Sequence, residues 1–296
     1  MVCFFYLGEK KKMIEMLMYP KAAERRSWSL FFVGLLYASV SLLLVTFIFS
    51  KDSVLSNYGG ILIVTFTVMF SLPFMYYLIK NEEQKDVEIS DSGKLIKAHS
   101  VALKGLMWLF LGFVVALSFW YIAMPNYNHV NFNAQIKVFC AINNPANYDY
   151  CLEQNGLSPL TGNIAKPKLI MNIFSNNIYV LIFTLLFSLA FGAGAIFILI
   201  WNASVIAAAV GMFSKSSLLR LPLGLARYMI HGIPEIGAYF IGALAGGIIS
   251  VAIIRRDLQG ERMWRILQDA LVLIIISVVV LFLAAIVEVY ITPVLF

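Results

Sequence analysis

The stretch that decides the fold is ALVLIIISVVVLFLAAIVEVYI, residues Ala270–Ile291. Its only charged side chain is Glu288. An α-helix rises about 1.5 Å per residue, so about 20 apolar residues cross the hydrocarbon core of a bilayer, which is about 30 Å thick. This stretch is long enough, and it therefore predicts a transmembrane helix.

Comparable apolar runs recur along the whole chain. Of its 296 residues, 61% are hydrophobic and only 13% are charged, whereas about 25% of the residues in a soluble domain are charged. The sequence therefore predicts an all-α, polytopic α-helical membrane protein with the lipid bilayer as its surroundings and no soluble domain of its own. The other long runs are Trp28–Ser50, Gly59–Ile79, Leu103–Met124, Ile178–Ile200 and Ile236–Ile254.

The segment Trp201–Gly232 is harder to interpret, because its apolar part, Ala203–Phe213, is too short for a full crossing. We expect a short, broken or re-entrant span here, giving about seven transmembrane segments. If this segment crosses, fifteen of the 22 basic residues fall on the cytoplasmic side, as the positive-inside tendency requires. This predicts a cell-membrane protein with a cytoplasmic N-terminus and an extracytoplasmic C-terminus.

The positive net charge does not indicate nucleic-acid binding. The net charge of +6 is explained by these cytoplasmic basic residues, and no basic patch interleaved with aromatic residues suggests nucleic-acid binding. Residues 1–27 are basic and amphipathic, which is typical of a helix on the inner leaflet; the alternative is a charged leader that only fixes orientation. We do not expect a cleavable signal peptide, since the first apolar run is too long and begins too late.

The remaining chain divides into three parts. Residues 28–124 form three transmembrane helices, 125–172 an extracytoplasmic loop, and 173–296 a transmembrane core. The loop contains Cys140 and Cys151, and an extracytoplasmic compartment permits a disulfide between them. The alternative is two free thiols.

Small residues are concentrated in the second half of the chain. Gly192 and Gly194 lie within the Ile178–Ile200 run, and Gly242 and Gly246 form a G-x-x-x-G. Such residues let helix backbones approach closely in lipid. We expect them to serve helix packing; the alternatives are the wall of a pathway or the seam of a homo-oligomer.

Acidic residues are rare at or within the predicted spans, and only Glu235 and Glu288 occur there. Under the predicted topology both lie near the outer face, as do His231 and the pair Asn176 and Asn177. We expect these side chains to converge on one polar pocket. Three interpretations remain open for it: a structural role, binding of a solute or ion, and a metal or catalytic site.

The catalytic interpretation has the least support. His231 and Glu235 alone supply at most two metal ligands, and Gly232 and Pro234 argue against their sharing one regular helical turn. The sequence contains no G-x-S-x-G, no H-E-x-x-H and no phosphate-binding loop. We therefore expect no metal and no cofactor. A continuous polar track from the pocket down to Asn202 would favour transport.

Several short motifs between Asn176 and Arg255 resemble the stage II sporulation protein M family of membrane proteins. The most specific is His231-Gly232-Ile233-Pro234-Glu235, which leads into a helix rich in small residues, and the sequence departs from the family in having Ala203 after Asn202. The other matching elements are Asn176-Asn177, Phe191-Gly192-Ala193-Gly194 and Trp201-Asn202.

The resemblance implies a non-enzymatic scaffold or complex subunit. Members of this family are associated with envelope remodelling, in complexes with cell-wall-degrading proteins, so a membrane or envelope protein is the expected partner. The alternative is a small-solute or ion permease that uses the pocket of His231, Glu235 and Glu288. A third interpretation is an intramembrane metal-dependent hydrolase.

Overall fold

The computed structural model describes residues 27–88, 95–143, 148–154, 169–191, 195–214, 217–254 and 260–295. The predicted interfacial segment 1–27 therefore lies almost entirely outside the described residues. Within these ranges the chain is helical and contains no strand. This confirms the prediction of an all-α fold.

Seven long helices dominate the structure. Six of them contain a stretch long and apolar enough to span a bilayer, and Leu169–Phe191 contains a shorter apolar stretch, Ile173–Leu189. This agrees with the predicted polytopic membrane protein. The seven are α1 Leu30–Phe49, α2 Gly59–Glu88, α3 Leu95–Ala123, α7 Leu169–Phe191, α8 Ala195–Phe213, α9 Leu221–Ile254 and α10 Gly260–Ile286.

Shorter helices complete the order of elements. Three lie between α3 and α7, and one follows a π-helical segment, Val287–Ile291, at the end of α10. The shorter helices are α4 Asn128–Asn131, α5 Asn133–Asn143, α6 Tyr148–Gln154 and α11 Thr292–Leu295.

The structure corrects the boundaries predicted between 178 and 232. The Ile178–Ile200 run is divided between α7, which ends at Phe191, and α8, which begins at Ala195. Gly192, Ala193 and Gly194, which separate the two helices in the sequence, lie outside the described residues. Ala203–Phe213 is the second half of α8 rather than a separate short span.

A second correction concerns Pro234, which together with Gly232 argued against a regular helical turn between His231 and Glu235. It lies inside α9, a continuous helix of 34 residues. Proline removes one helical hydrogen bond and normally kinks or ends a helix, but this helix continues through Pro234. His231 and Glu235, four residues apart, therefore share one helical face, contrary to the expectation from Gly232 and Pro234.

Most of the helices pack around a large apolar core that includes residues from both halves of the chain, and a second, smaller apolar cluster lies between α9 and α10. On one side, α1 lies against α3 at a close approach of backbones, where a side chain on Gly34 would meet the carbonyl of Leu109. On the other side, α9 packs on α7 and α10. Helix α8 lies between these groups and contacts α2, α3, α7 and α9.

The segment after α3 forms an ordered cap, α4 to α6. Its predicted disulfide is confirmed: Cys140 of α5 is bonded to Cys151 of α6. Its polar side chains reach into the helix bundle. Asn131 donates a hydrogen bond to the Thr46 hydroxyl (2.8 Å), and Gln135 donates to the carbonyl of Gly60 and to the hydroxyl of Ser204 (both 3.1 Å). The cap is thus tied to α1, α2 and α8.

Candidate functional site

A cluster of polar side chains lies where α7, α9 and the π-helical end of α10 meet. Asn177 comes from α7, His231 and Glu235 from α9, and Glu288 from the π-helical segment. Four side chains singled out from the sequence thus share one region of the fold. Polar groups at such a position are costly unless they are paired, which makes their partners informative.

Asn177 is the centre of the cluster. Its side-chain nitrogen donates a hydrogen bond to Oε1 of Glu235 (2.8 Å), and its side-chain oxygen accepts one from the hydroxyl of Tyr239 (3.0 Å). Asn177 and Tyr239 are buried, with 6% and 1% of their surface exposed, whereas Glu235 is half-buried. This chain of hydrogen bonds joins α7 to two successive turns of α9.

His231 links α9 to the end of the chain. Its Nδ1 lies 3.3 Å from the hydroxyl of Thr292, which itself lies 3.2 Å from the carbonyl oxygen of Val287. A carbonyl oxygen can only accept, so the single hydroxyl proton of Thr292 is donated to Val287. Nδ1 of His231 then carries a proton and donates to Thr292, which leaves Nε2 as an acceptor.

The π-helical segment has a local cause in the sequence. Pro293 has no N–H and its ring crowds the preceding turn, so the regular α-helical ladder is not maintained here. The backbone N–H of Thr292 instead reaches the carbonyl of Val287, five residues back. This wider turn contains Glu288, and such turns occur often at functional sites.

The charges of the cluster are not directly paired. Glu235 and Glu288 are close enough to interact electrostatically, and Glu288 also interacts with Tyr228. The guanidinium of Arg227 lies over the ring of Phe213, 4.9 Å from its centroid. Among the residues described, neither carboxyl group forms an ion pair.

Acceptors outnumber donors in this arrangement. Within the described part of the chain, Oε2 of Glu235, the carboxyl group of Glu288 and Nε2 of His231 receive no hydrogen bond. Such a set can bind a proton or a small cation. No group of three His, Cys, Asp or Glu side chains in the described ranges is placed to hold a metal ion.

Two of the predicted residues do not join the cluster. Asn202 is half-buried on α8, and its side chain donates a hydrogen bond to the carbonyl of Ile198 in its own helix (2.7 Å). Asn176 is half-buried on α7 and contributes no hydrogen bond to the cluster. Because Asn202 bonds to its own helix, the described residues do not form the polar track from the pocket to α8.

The packing glycines of α9 lie further along the same helix. A side chain on Gly242 would meet Leu181, and one on Gly246 would come within 2.7 Å of the carbonyl oxygen of Leu185. Ser188 of α7 donates a hydrogen bond to the carbonyl of Ala243. This G-x-x-x-G is therefore occupied by α7 within the same chain and is not exposed to a second copy. The other two predicted packing residues, Gly192 and Gly194, lie outside the described residues.

Sequence reasoning missed Tyr239, Thr292, Tyr228 and Arg227. Two of them carry a recognisable signal: Tyr239 lies four residues after Glu235, and Thr292 lies four residues after Glu288. Helical residues at this spacing are neighbours on one face. A search for polar side chains at this spacing from each acidic residue would have found both.

Comparison with known proteins agrees with the motifs. A family model described as "Stage II sporulation protein M" matches residues 106–293. An uncharacterized protein of Methanocaldococcus jannaschii is 35% identical over 127 residues, which is 41% of this chain and 70% of that protein. No solved structure matches the chain at a significant level.

Proposed function

Because the chain belongs to the stage II sporulation protein M family, we propose that it is a non-enzymatic membrane scaffold, a subunit that holds envelope proteins in a complex. The single observation that carries this proposal is the packing of α7 against α9. Below the polar cluster the two backbones are in contact at Gly246, which leaves no space for a solute between them.

The same packing favours a rigid structural unit. Hydrogen bonds at Asn177 and Ser188 hold α7 to α9 on both sides of Gly242. Interhelical hydrogen bonds and small residues are the main means of association in lipid, where burial of apolar surface contributes little. Such a unit suits a protein that presents a fixed surface to a partner.

The cap supplies the surface for an envelope partner in this proposal. Its disulfide and its hydrogen bonds to three transmembrane helices fix its orientation. Tyr150 is 62% exposed on α6. The cap would lie outside the cell membrane, with the N-terminus of the chain inside, as the positive-inside tendency indicates.

Orientation is tested by labelling single cysteines in intact cells, with Cys3 replaced and the disulfide kept. We expect a membrane-impermeant maleimide to label cysteines placed at Ser53 and Val294 but not at Ser90. Ser53 and Val294 are exposed, and Ser90 is in the stretch assigned to the cytoplasm from the sequence. Labelling at position 90 alone would show the opposite orientation, with the cap in the cytoplasm.

The scaffold role is tested by photo-crosslinking in the native host. A photoreactive residue replaces Tyr150 on the cap, and a control replaces Phe183, which is 53% exposed on α7 among apolar neighbours. We expect Tyr150 to yield an adduct with a cell-wall-degrading protein and Phe183 to yield lipid adducts. Loss of this partner from its normal position when the gene is deleted would support the proposal; adducts with lipid at both sites would contradict it.

A small-solute or ion permease is the second candidate, and it is favoured by one observation. Glu235 is only half-buried and carries an oxygen without a hydrogen-bond donor among the described residues. Acidic residues within membrane-spanning segments often mark substrate or ion pathways. Purified protein in liposomes should then carry an ion current or take up solute, whereas a scaffold gives the same flux as empty liposomes.

A further inference from the structure

We propose that the turn between α8 and α9 is an interfacial anchor, whose leucines insert into the headgroup region of the bilayer while Arg220 binds the phosphate of an anionic phospholipid. This segment, residues 218–223, is called the leucine turn below. It consists of a 3-10 turn, Leu218–Arg220, and the first residues of α9. The proposal goes beyond the scaffold role and does not depend on it, because a permease could use the same anchor.

The leucine turn exposes three large apolar side chains that are close together in the sequence. Leu219 is 93% exposed, the largest fraction for any large apolar side chain in the described part of the chain, and Leu218 and Leu223 are 51% and 52% exposed. An exposed apolar patch marks a site of contact with another protein or with a membrane. The three leucines therefore indicate an apolar environment around the turn.

The opposite side of the turn is fixed to the end of α8. The hydroxyl of Ser214, which is buried, donates a hydrogen bond to the carbonyl of Arg220 (3.3 Å). Gly224 allows close packing at the same place, because a side chain there would come within 2.8 Å of Oγ of Ser214 and 3.2 Å of Val210. These contacts hold the turn against α8 and leave its leucines on the outer surface.

The leucine turn also has the right position for an interfacial anchor. Helix α8 has 19 residues, or about 28 Å, close to the thickness of the hydrocarbon core, so its last residue, Phe213, is expected at a membrane surface. Arg227 and Tyr228 of α9 both contact the ring of Phe213. Leu223 precedes Tyr228 by five residues, or about 7 Å along the helix, which is about the depth of the headgroup region on one side of a bilayer.

The charge of this segment is complementary to phospholipid headgroups. Arg220 is exposed, and its guanidinium forms no ion pair with any residue that the structure describes. The sequence from 154 to 234 contains no Asp or Glu. A guanidinium group binds phosphate through parallel hydrogen bonds. Basic side chains beside inserted apolar ones are typical of segments that bind anionic membrane surfaces.

The composition of the turn favours lipid over a protein partner. Helices associate in a membrane through small residues and interhelical hydrogen bonds, as at Gly246 and Ser188 in the packing of α7 against α9. The exposed positions of the leucine turn contain instead three leucines, Pro222 and Arg220. Bulky apolar side chains around one guanidinium match the acyl chains and the phosphate of a phospholipid.

The depth of the turn is tested in liposomes with a fluorescent probe on the single cysteine of Leu219→Cys, with Cys3 replaced and the disulfide kept. Phe183→Cys, in α7, is the lipid-exposed control, and Glu153→Cys, on the cap, is the water-exposed control. We expect lipids with a nitroxide near the headgroup to quench the probe at 219 at least about twofold more than the probe at 153. Iodide in the aqueous medium should show the reverse order.

Equal quenching by iodide at positions 219 and 153 would place the turn in water and overturn the proposal. Protection of position 219 from both quenchers would indicate a second copy of the chain on the turn, which also overturns it. A probe at 219 that is quenched by headgroup nitroxides, and at 183 by nitroxides near the ends of the acyl chains, supports the anchor.

Binding of phosphate is tested by native mass spectrometry of the purified full chain with equal amounts of phosphatidylglycerol and phosphatidylcholine. We expect Arg220→Gln to lower the fraction of protein that carries phosphatidylglycerol by about twofold or more. Lys51→Gln, at an exposed basic residue in the link between α1 and α2, should leave it unchanged. Both side chains are exposed, so both variants should fold. An equal decrease in the two variants, or no decrease in either, would overturn phosphate binding at Arg220.

Discussion

Asn177 of α7 donates a hydrogen bond to Oε1 of Glu235 of α9, across the interface between two transmembrane helices (2.8 Å). Its neighbour Asn176 is half-buried and makes no such bond. Two adjacent asparagines therefore differ in function although they are the same residue type. The pair offers a matched comparison of what one interhelical hydrogen bond contributes.

We expect Asn177→Leu to lower the free energy of unfolding by about 1–3 kcal/mol, because it leaves a carboxyl group and the Tyr239 hydroxyl without their partner. Asn176→Leu should change it by less than about 0.5 kcal/mol. The measurement is unfolding in mild detergent or in a bilayer by steric trapping. Equal costs for the two variants would contradict the hydrogen-bond assignment.

The close packing of α7 against α9 predicts opposite effects on stability for Gly→Ala substitutions at two positions of α9. A side chain on Gly246 would come within 2.7 Å of the carbonyl oxygen of Leu185, whereas one on Gly237 would meet nothing within 4 Å. Gly246→Ala should therefore cost about 1–3 kcal/mol through a forced backbone shift. Gly237→Ala should stabilise α9 by about 0.5–1 kcal/mol through its helix propensity.

Unfolding of both variants under one condition provides the measurement. Because the substitutions are identical and lie nine residues apart on the same helix, the difference isolates the packing. If Gly246→Ala were as stable as Gly237→Ala, close contact between α7 and α9 would be wrong.

Most transmembrane segments were predictable because the length of an apolar run can be read directly from the sequence. The run Ala270–Ile291 needed no partner to be recognised. The helix boundaries within 169–254 were harder to predict. Ala203–Phe213 looks too short for a span until it is joined to the preceding residues from Ala195 onward, and α9 continues through Pro234, where a helix normally kinks or ends. Helix boundaries of this kind depend on tertiary contacts, which are not visible in a single sequence.

The same distinction applies to the candidate site. His231, Glu235 and Glu288 could be singled out because charge is rare in a membrane. Asn202 was grouped with them for its polarity, but its amide bonds to Ile198. Tyr239 and Thr292 were overlooked because such residues are common in membrane helices, and only the position of Asn177 and His231 gives them a role.

The disulfide should be the main constraint on the cap. Replacing Cys140 and Cys151 by serine is expected to lower the free energy of unfolding by about 3 kcal/mol, since the closed loop then regains its freedom in the unfolded chain. Alkylation with and without reductant, followed by mass spectrometry, reports the bond. Proteolysis of the cap should accelerate in the variant; unchanged cleavage would show that the hydrogen bonds to the bundle are sufficient to hold it.

Asp52, in the link between α1 and α2, predicts a pH dependence. Its carboxylate accepts hydrogen bonds from the backbone N–H groups of Leu55 and Val54 (both 2.8 Å), and these lower the pKa of Asp52. A lowered pKa in the folded state stabilises the fold above the ordinary pKa of aspartate, about 4, and this contribution is lost as the pH falls through the folded-state value.

Both hydrogen bonds end on Oδ1 of Asp52, so Asp52→Asn keeps the acceptor oxygen but removes the charge. We expect the difference in stability between wild type and variant to be largest near neutral pH and to vanish in acid. Unfolding at a series of pH values between 7 and 3 gives the measurement, with Glu153→Gln as a control on the cap. A difference that grows in acid would have the wrong sign for this assignment.

At the contact between the cap and α2, we expect one substitution to reduce the stability cost of another. A side chain on Gly60 would meet Oε1 of Gln135, whereas one on Gly59 would meet the backbone carbonyl of Val130. Oε1 of Gln135 is buried and has no hydrogen-bond donor among the described residues. A weak contact with the Cα–H of Gly60 is the interaction available to it.

Gly60→Ala and Gly59→Ala should each cost about 1–3 kcal/mol in the wild-type background, because both overfill a tight contact. In the background of Gln135→Ala, the cost of Gly60→Ala should fall by at least half, since its obstacle was a side chain that is now gone. The cost of Gly59→Ala should not change, because the group in its way is a backbone carbonyl.

A double-mutant cycle on the free energy of unfolding measures both couplings. Equal relief at the two glycines would mean that Gln135→Ala loosens the whole cap, and the specific contact between Gln135 and Gly60 would then be wrong.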